Sequence, residues 1–149
     1  MIDKILVPTD GSSGTKKAVD YAIDVAEMAD AELHTLYVVS QAPKGAIPRE
    51  EWTTGNNWDD IPPAAEGDAK EAIDQVVEQA ESRGTDVTRG VRIGEPHKEI
   101  KGYAEENEID LIVMGTHGKT AIANVLIGSV TERVVRYSEI PVLTVKVPK

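Results

Sequence analysis

The chain contains no cysteine. That excludes disulfides, thiolate metal sites and a cysteine nucleophile, and it leaves the redox compartment open. Phenylalanine is absent too, and aromatics make up 4% of the 149 residues, so valine, isoleucine, leucine and alanine must fill the core. Such residues suit buried parallel strands and the apolar stripes of helices. No apolar run approaches the ~18 residues of a membrane span. The opening "MIDKILVPTD" has neither the basic region nor the long apolar core of a signal peptide. A cytoplasmic protein without a membrane partner is expected. Positive charge is scarce as well: 16 Lys and Arg stand against 26 Asp and Glu, a formal net charge of −10. A nucleic-acid-binding face is not expected of that balance.

What remains is enough for one domain over residues 1–149 with a full core. Ile5 to Val7 form a short apolar run closed by Pro8, which predicts a buried strand and a turn. Ala18, Tyr21, Ala22, Val25, Ala26 and Ala29 recur at helical spacing, with Ser12 or Ser13 as the cap. "AELHTLYVVS" predicts a second strand. Residues 41 to 62 break the pattern: the stretch from Gln41 to Pro63 holds four prolines, two glycines and both tryptophans. It is too long for an ordinary connection and predicts a functional or mobile surface loop. A helix resumes near Pro63 and stops at Gly84. "TDVTRGVRIG" alternates, which predicts a strand near a sheet edge. A helix opened by Pro96, the apolar strand "IDLIVMG", a helix from Gly128 to Tyr137 and the strand "IPVLTVKVPK" complete the chain. Strands alternating with helices predict an α/β fold, a five-stranded parallel sheet covered on both faces, with ligands beyond the carboxyl ends of the strands where the winding reverses.

The chemistry concentrates in "GTHGKTAIANVLIGSV", Gly115 to Val130. A Walker loop needs four residues between its first glycine and the Gly-Lys pair. Here Gly115 and Gly118 enclose only two, so Lys119 is not assigned to a phosphate. No G-x-G-x-x-G follows the first strand, which removes the dinucleotide fingerprint. Another arrangement is legible. Gly115 and Gly118 leave a strand, nine residues intervene, and Gly128-Ser129 opens a helix. Gly128, Ser129, Val130 and Thr131 would present backbone N–H groups at the positive end of that helix, with Ser129 and Thr131 adding hydroxyls. The same residues could serve only as turns and a cap.

Gly115-x-x-Gly118, nine residues and Gly128-Ser129 resemble the nucleotide motif of the ATP-binding branch of the universal stress protein family. The resemblance extends over essentially the whole chain through "KILVPTDGS", "LYVV", "GEPHKEI", "DLIVMGTHG", "IGSVTERVVR" and "PVLTVK". It implies a sheet in the order 3-2-1-4-5, with the reversal between the first and fourth strands. It implies that Asp10 meets the ribose or adenine, with Pro8 and Thr9 as the floor; an Asx turn is the other role open to Asp10. Val38 and Met114 would contact the nucleoside, although both could simply be core. Gly115, His117 and Gly118 would line the phosphate and ribose path, and Gly128, Ser129, Val130 and Thr131 would carry the phosphates. The implied ligand is ATP, with any Mg²⁺ or Mn²⁺ held mainly by phosphates and water. The last strand has no charge before Lys146, and the resemblance implies a homodimer through it, with Val142, Thr144 and Val145 at the interface.

His34, His97 and His117 are scattered and make no legible metal cluster, and Asp110 precedes its strand, at the wrong end for the crevice. No base with a visible partner and no arginine aimed at the γ-phosphate can be found, so a nucleotide-dependent switch with little or no ATPase activity is expected rather than a catalyst. The competing readings are an interaction protein of the same fold without nucleotide and a small phosphoryl- or adenylyl-transfer enzyme. A two-component receiver is excluded, because the paired acids after the first strand and an aspartate ending the third are missing.

Overall fold

The computed structural model describes residues 1–39, 63–116 and 128–146. The long loop of 41–62 and the candidate site residues His117 and Gly118 lie outside the described residues. The elements run β1 (Lys4–Thr9), α1 (Ser13–Ala29), β2 (Glu32–Val39), α2 (Pro63–Glu81), β3 (Val87–Ile93), α3 (Pro96–Glu106), β4 (Leu111–Gly115), α4 (Ser129–Tyr137) and β5 (Val142–Val145). All strand pairs are parallel, in the order β3-β2-β1-β4-β5. The expected architecture and strand order are therefore observed, and β3 and β5 are the two edges.

The central strand, β1, is buried from both faces of the sheet. Ile5, Leu6 and Val7 are fully buried, each contributing about 1.5–3 kcal/mol of burial free energy. They alternate between layers, as a strand must. Ile5 and Val7 pack with α1 residues Ala18, Ala22 and Ile23 and with Val76 and Ala80 of α2. Leu6 packs on the opposite face with Leu36, Ile112, Ile100 and Ala104 of α3, and Val134 of α4. Helices α1 and α2 thus cover one face and α3 and α4 the other. α1 buries Ala18, Val19, Ala22, Ile23 and Ala26 at helical spacing and ends on Asp30 in the left-handed conformation. Gly84, at φ 75°, makes the turn after α2 where a side chain would be strained.

Both edges are managed differently. β3 exposes Thr88 and Arg89, and a charged edge discourages pairing with another chain. On one face Val91 and Ile93 pack with Ala69 of α2, and on the other an aromatic ring covers Gly90. Tyr103 of α3 lies over Gly90, and its hydroxyl is 2.8 Å from His34 Nδ1. The Arg92 guanidinium, 5.2 Å from the Tyr103 ring centroid, is buried and pairs with Glu106. The cationic face-on contact and the carboxylate together compensate the guanidinium for lost water.

His34 is 4% exposed. Glu32 Oε1 approaches its Nε2 to 3.2 Å without hydrogen-bond geometry. Burial, the largest cause, holds the imidazole below its ordinary pKa; Lys4 adds to this and Glu32 opposes it. The unfolded chain takes up a proton at His34 near pH 6.5, whereas the folded chain resists until lower pH. Stability from neutral His34 is therefore complete above about pH 6.5 and declines as pH falls below it, levelling once the folded imidazole also protonates. Thermal melts between pH 7.5 and 5.5 should show a steeper loss for wild type than for His34→Gln. Parallel curves would remove His34 as the source.

Candidate functional site

The sheet parts at one place. β1 is paired with β2 as far as Thr9↔Tyr37, and β4 with β5 as far as Gly115↔Val145. Between β1 and β4, however, the ladder consists of Ile5↔Leu111 and Leu6↔Ile112. Both strands continue three residues further without pairing to each other. Pro8, in the middle of that stretch, has no N–H to contribute to a ladder. The gap lies at the carboxyl ends, between the two strands whose following helices cover opposite faces, which is where ligands bind in open α/β sheets.

On the β1 side of the gap, Thr9 is buried and Asp10 turns the chain into α1. Asp10 Oδ1 accepts from the Ser12 N–H at 2.9 Å and the Thr15 hydroxyl at 3.2 Å. This is the Asx-type turn open to it on sequence grounds. Gly11, at φ 79°, takes the turn's left-handed position. Ser12 occupies the cap position of α1, but its hydroxyl caps no backbone N–H. A cavity of about 670 Å³ opens between the start of α1 and α2, lined in part by Thr9, Gly11, Ser12, Lys16 and Gln79. Of the candidate site residues, it takes in Thr9. Tyr37, beside Thr9, was not singled out from sequence; burial first, then Asp68 and Asp10, push its hydroxyl above the usual tyrosine range.

On the β4 side, Met114 is buried in the α3–α4 layer and Val38 packs against the same cluster. Both therefore belong to the packing on the α3–α4 face of the sheet. After Gly115 the Thr116 peptide bonds in two directions: its N–H donates to Val145 O at 3.0 Å, and its carbonyl accepts from the Gly128 N–H. The Gly128 amide, counted from sequence among the anion donors, is thus held by Thr116. Gly128 is the N-cap of α4, and the Glu132 N–H closes on its carbonyl at 2.9 Å. The first-turn amides of Ser129, Val130 and Thr131 have no acceptor within the helix. Ser129 is exposed and Val130 partly buried. Thr131 is 5% exposed, and its hydroxyl donates to the Gly115 carbonyl at 2.8 Å. The bonds of Gly128 and Thr131 therefore place the N-terminus of α4, opened by a residue without a side chain, against the end of β4.

The remaining polar groups lie elsewhere. Asp110 accepts the N–H groups of Asp3 and Lys4 at 2.8 and 3.0 Å, at the amino end of the sheet; those two bonds hold its carboxyl below the usual range. Glu95, the α3 N-cap, contacts Lys98 and, from α4, Arg133 at 3.8 Å. His97 stacks at 5.9 Å on Tyr137. Among the described residues no three His, Asp or Glu side chains converge as a metal site, and no helix is long and apolar enough to cross a membrane.

The parallel sheet, doubly wound and parted between β1 and β4, defines an α/β class whose switch point lies at the carboxyl ends of those two strands. Residues 1–146 match the Universal stress protein family. Universal stress protein MJ0531 of Methanocaldococcus jannaschii is 40% identical over 146 residues, covering 98% of this chain and 83% of its own length. The solved structure of MJ0577 superposes with a TM-score of 0.76 at 30% identity, covering 100% of this chain and 99% of the other. A universal stress protein solved in complex with cAMP gives a TM-score of 0.71 at 25% identity, with 97% of each chain covered. The chain belongs to the universal stress protein family.

Proposed function

We propose that this chain is an ATP-binding, nucleotide-dependent regulator of the stress response, acting in the cytoplasm as a homodimer, with little or no ATPase activity. The observation that carries the reading is the start of α4, held at the carboxyl end of β4 by the Thr131–Gly115 and Gly128–Thr116 bonds, beside the break in the β1–β4 ladder. Its donor set fits a polyphosphate: three amides without intrahelical acceptors, the positive end of a helix dipole and no side chain at Gly128. Asp10 and Thr9, across the gap, supply acceptors for ribose hydroxyls or the adenine amine. The cAMP complex of a family member supports an adenine nucleotide as the ligand class. Bound ATP would bring negative charge to neutralise and, with it, any Mg²⁺ or Mn²⁺ held mainly by phosphate and water.

The test is direct. Protein purified without added nucleotide is denatured, the released small molecules are identified by mass spectrometry, and any empty fraction is titrated with ATP. Bound or titratable ATP supports the switch. Protein that ignores ATP with either cation returns the glycine stretch to turns and a cap, and leaves the interaction protein without nucleotide as the better reading.

Dimerisation is proposed through β5, the edge without a charge. Thr144 and Leu143 are exposed and Val142 partly so, while Val145 turns its side chain into the chain's own core. Thr144→Lys places a charge on the edge without touching that core. It should shift the species seen by light scattering from dimer to monomer at micromolar concentration, with thermal stability changed by less than about 0.5 kcal/mol per chain beyond the dimer term. A wild-type monomer would sink the proposal outright.

A further inference from the structure

We infer that Thr131 is a positioning residue: its buried hydroxyl sets the spacing between the end of β4 and the first-turn amides of α4, rather than binding a phosphate itself. The inference rests on the nucleotide reading above and concerns how the site is held.

The hydroxyl has one proton to donate, and it goes to the Gly115 carbonyl at 2.8 Å. Thr131 shares with Val134 the side of α4 turned to the sheet, and both are buried. The Thr131 side chain therefore points away from the solvent-facing side on which Ser129 stands, while its N–H points along the axis toward the helix N-terminus. One residue thus has two separate assignments: the amide toward the gap, the hydroxyl toward the strand. A second bond works alongside, because the Gly128 N–H donates to the Thr116 carbonyl. Two consecutive carbonyls leaving β4, those of Gly115 and Thr116, are matched by the cap and the third helical residue of α4. Together they hold the helix start against rotation as well as translation. An array of amides recognises phosphate through short, directional bonds that weaken steeply with angle, so a helix start displaced by a fraction of an ångström loses several at once.

The test uses wild type, Thr131→Val and Thr131→Ser, each titrated calorimetrically with ATP and with adenosine, and a crystal structure of ATP-bound wild type. Thr131→Val keeps the shape and removes the donor; it should bind ATP 10- to 100-fold more weakly. Its adenosine affinity should stay within threefold of wild type, since adenosine does not use the α4 amides. Thr131→Ser should return ATP affinity to within threefold. In the bound crystal structure Thr131 Oγ1 should still lie within hydrogen-bond distance of Gly115 O and outside it from every phosphate oxygen. Wild type that binds no ATP overturns the nucleotide reading, and this inference with it. Wild type that binds while Thr131→Val binds equally overturns the inference alone. So does a bound structure with Oγ1 on a phosphate, an outcome that is readable even if the valine variant fails to fold.

Discussion

Gly128→Val is expected to leave the chain folded and to weaken ATP binding by roughly 100-fold or more. Gly128 sits at φ −69° and ψ 157°, extended backbone that any residue adopts, so a Cβ brings no backbone strain. Its N–H bond to Thr116 and its carbonyl bond from Glu132 involve the main chain only and survive the substitution. Valine is a poor cap, and that costs at most about 1 kcal/mol. The larger effect is steric. Two methyl groups would stand in front of the Ser129, Val130 and Thr131 amides, where a phosphate must come within hydrogen-bond distance. Charge-assisted bonds contribute about 1.5–3 kcal/mol each, so losing two is on the order of 3 kcal/mol or more, a hundredfold in affinity. Gly128→Ser provides the contrast: serine is the better helix cap by a few tenths of a kcal/mol, so that variant should melt no lower than wild type while still binding ATP more weakly. Calorimetric titration and thermal melts of the three proteins check both halves. A valine variant with wild-type ATP affinity would put the anion somewhere other than the start of α4.

The conformation at Gly128 also marks the boundary between what is legible in a sequence and what is not. Alternating strands and helices, the buried Ile5–Val7 strand, the alternation of an edge strand and the stop at Gly84 are local patterns, and the structure follows them. The spacing from Gly115 to Gly128 is likewise local, and it brings a helix N-terminus to the end of β4. The destination of each donor is another matter. Gly128 and Thr131 look alike in sequence as anion donors, yet the amide of one and the hydroxyl of the other are held by Thr116 and Gly115. Those bonds depend on how α4 docks on the sheet, and docking is set by Val134 and its neighbours in the core rather than by the motif. Asp10 was ambiguous for the opposite reason. Its turn is local and is present, whereas a ligand contact requires the other side of the gap. The cluster of His34, Arg92 and Tyr103 left no trace in any one segment, because its members come from β2, β3 and α3.

Gly90, under that cluster, yields a prediction whose sign separates local preference from tertiary packing. By strand preference, glycine in β3 is a defect and valine a gain of up to about 1 kcal/mol. In the structure a Cβ at Gly90 would lie 2.7 Å from Tyr103 Cε2 and 3.2 Å from its hydroxyl. A flexible side chain could swing away, but this ring is held at several points. Its hydroxyl is bonded to buried His34, Arg92 lies against its face, and Ile100 and Ala104 close the same layer. Moving it leaves the His34 imidazole without its partner and uncovers a guanidinium that relies on the ring and Glu106 in place of water. Overpacking alone costs about 1–3 kcal/mol, and an orphaned buried polar group adds a similar amount. Gly90→Val should therefore lose on the order of 3 kcal/mol, lowering the melting temperature by roughly 10 °C. In a Tyr103→Leu background, where the ring is gone, the same substitution should cost less than about 1 kcal/mol, and the difference is the coupling between the two positions. Denaturant unfolding of wild type, both single variants and the double variant measures it. A gain in stability on adding valine to wild type would show that the ring moves aside freely, and that strand preference rather than the Tyr103 contact governs this edge.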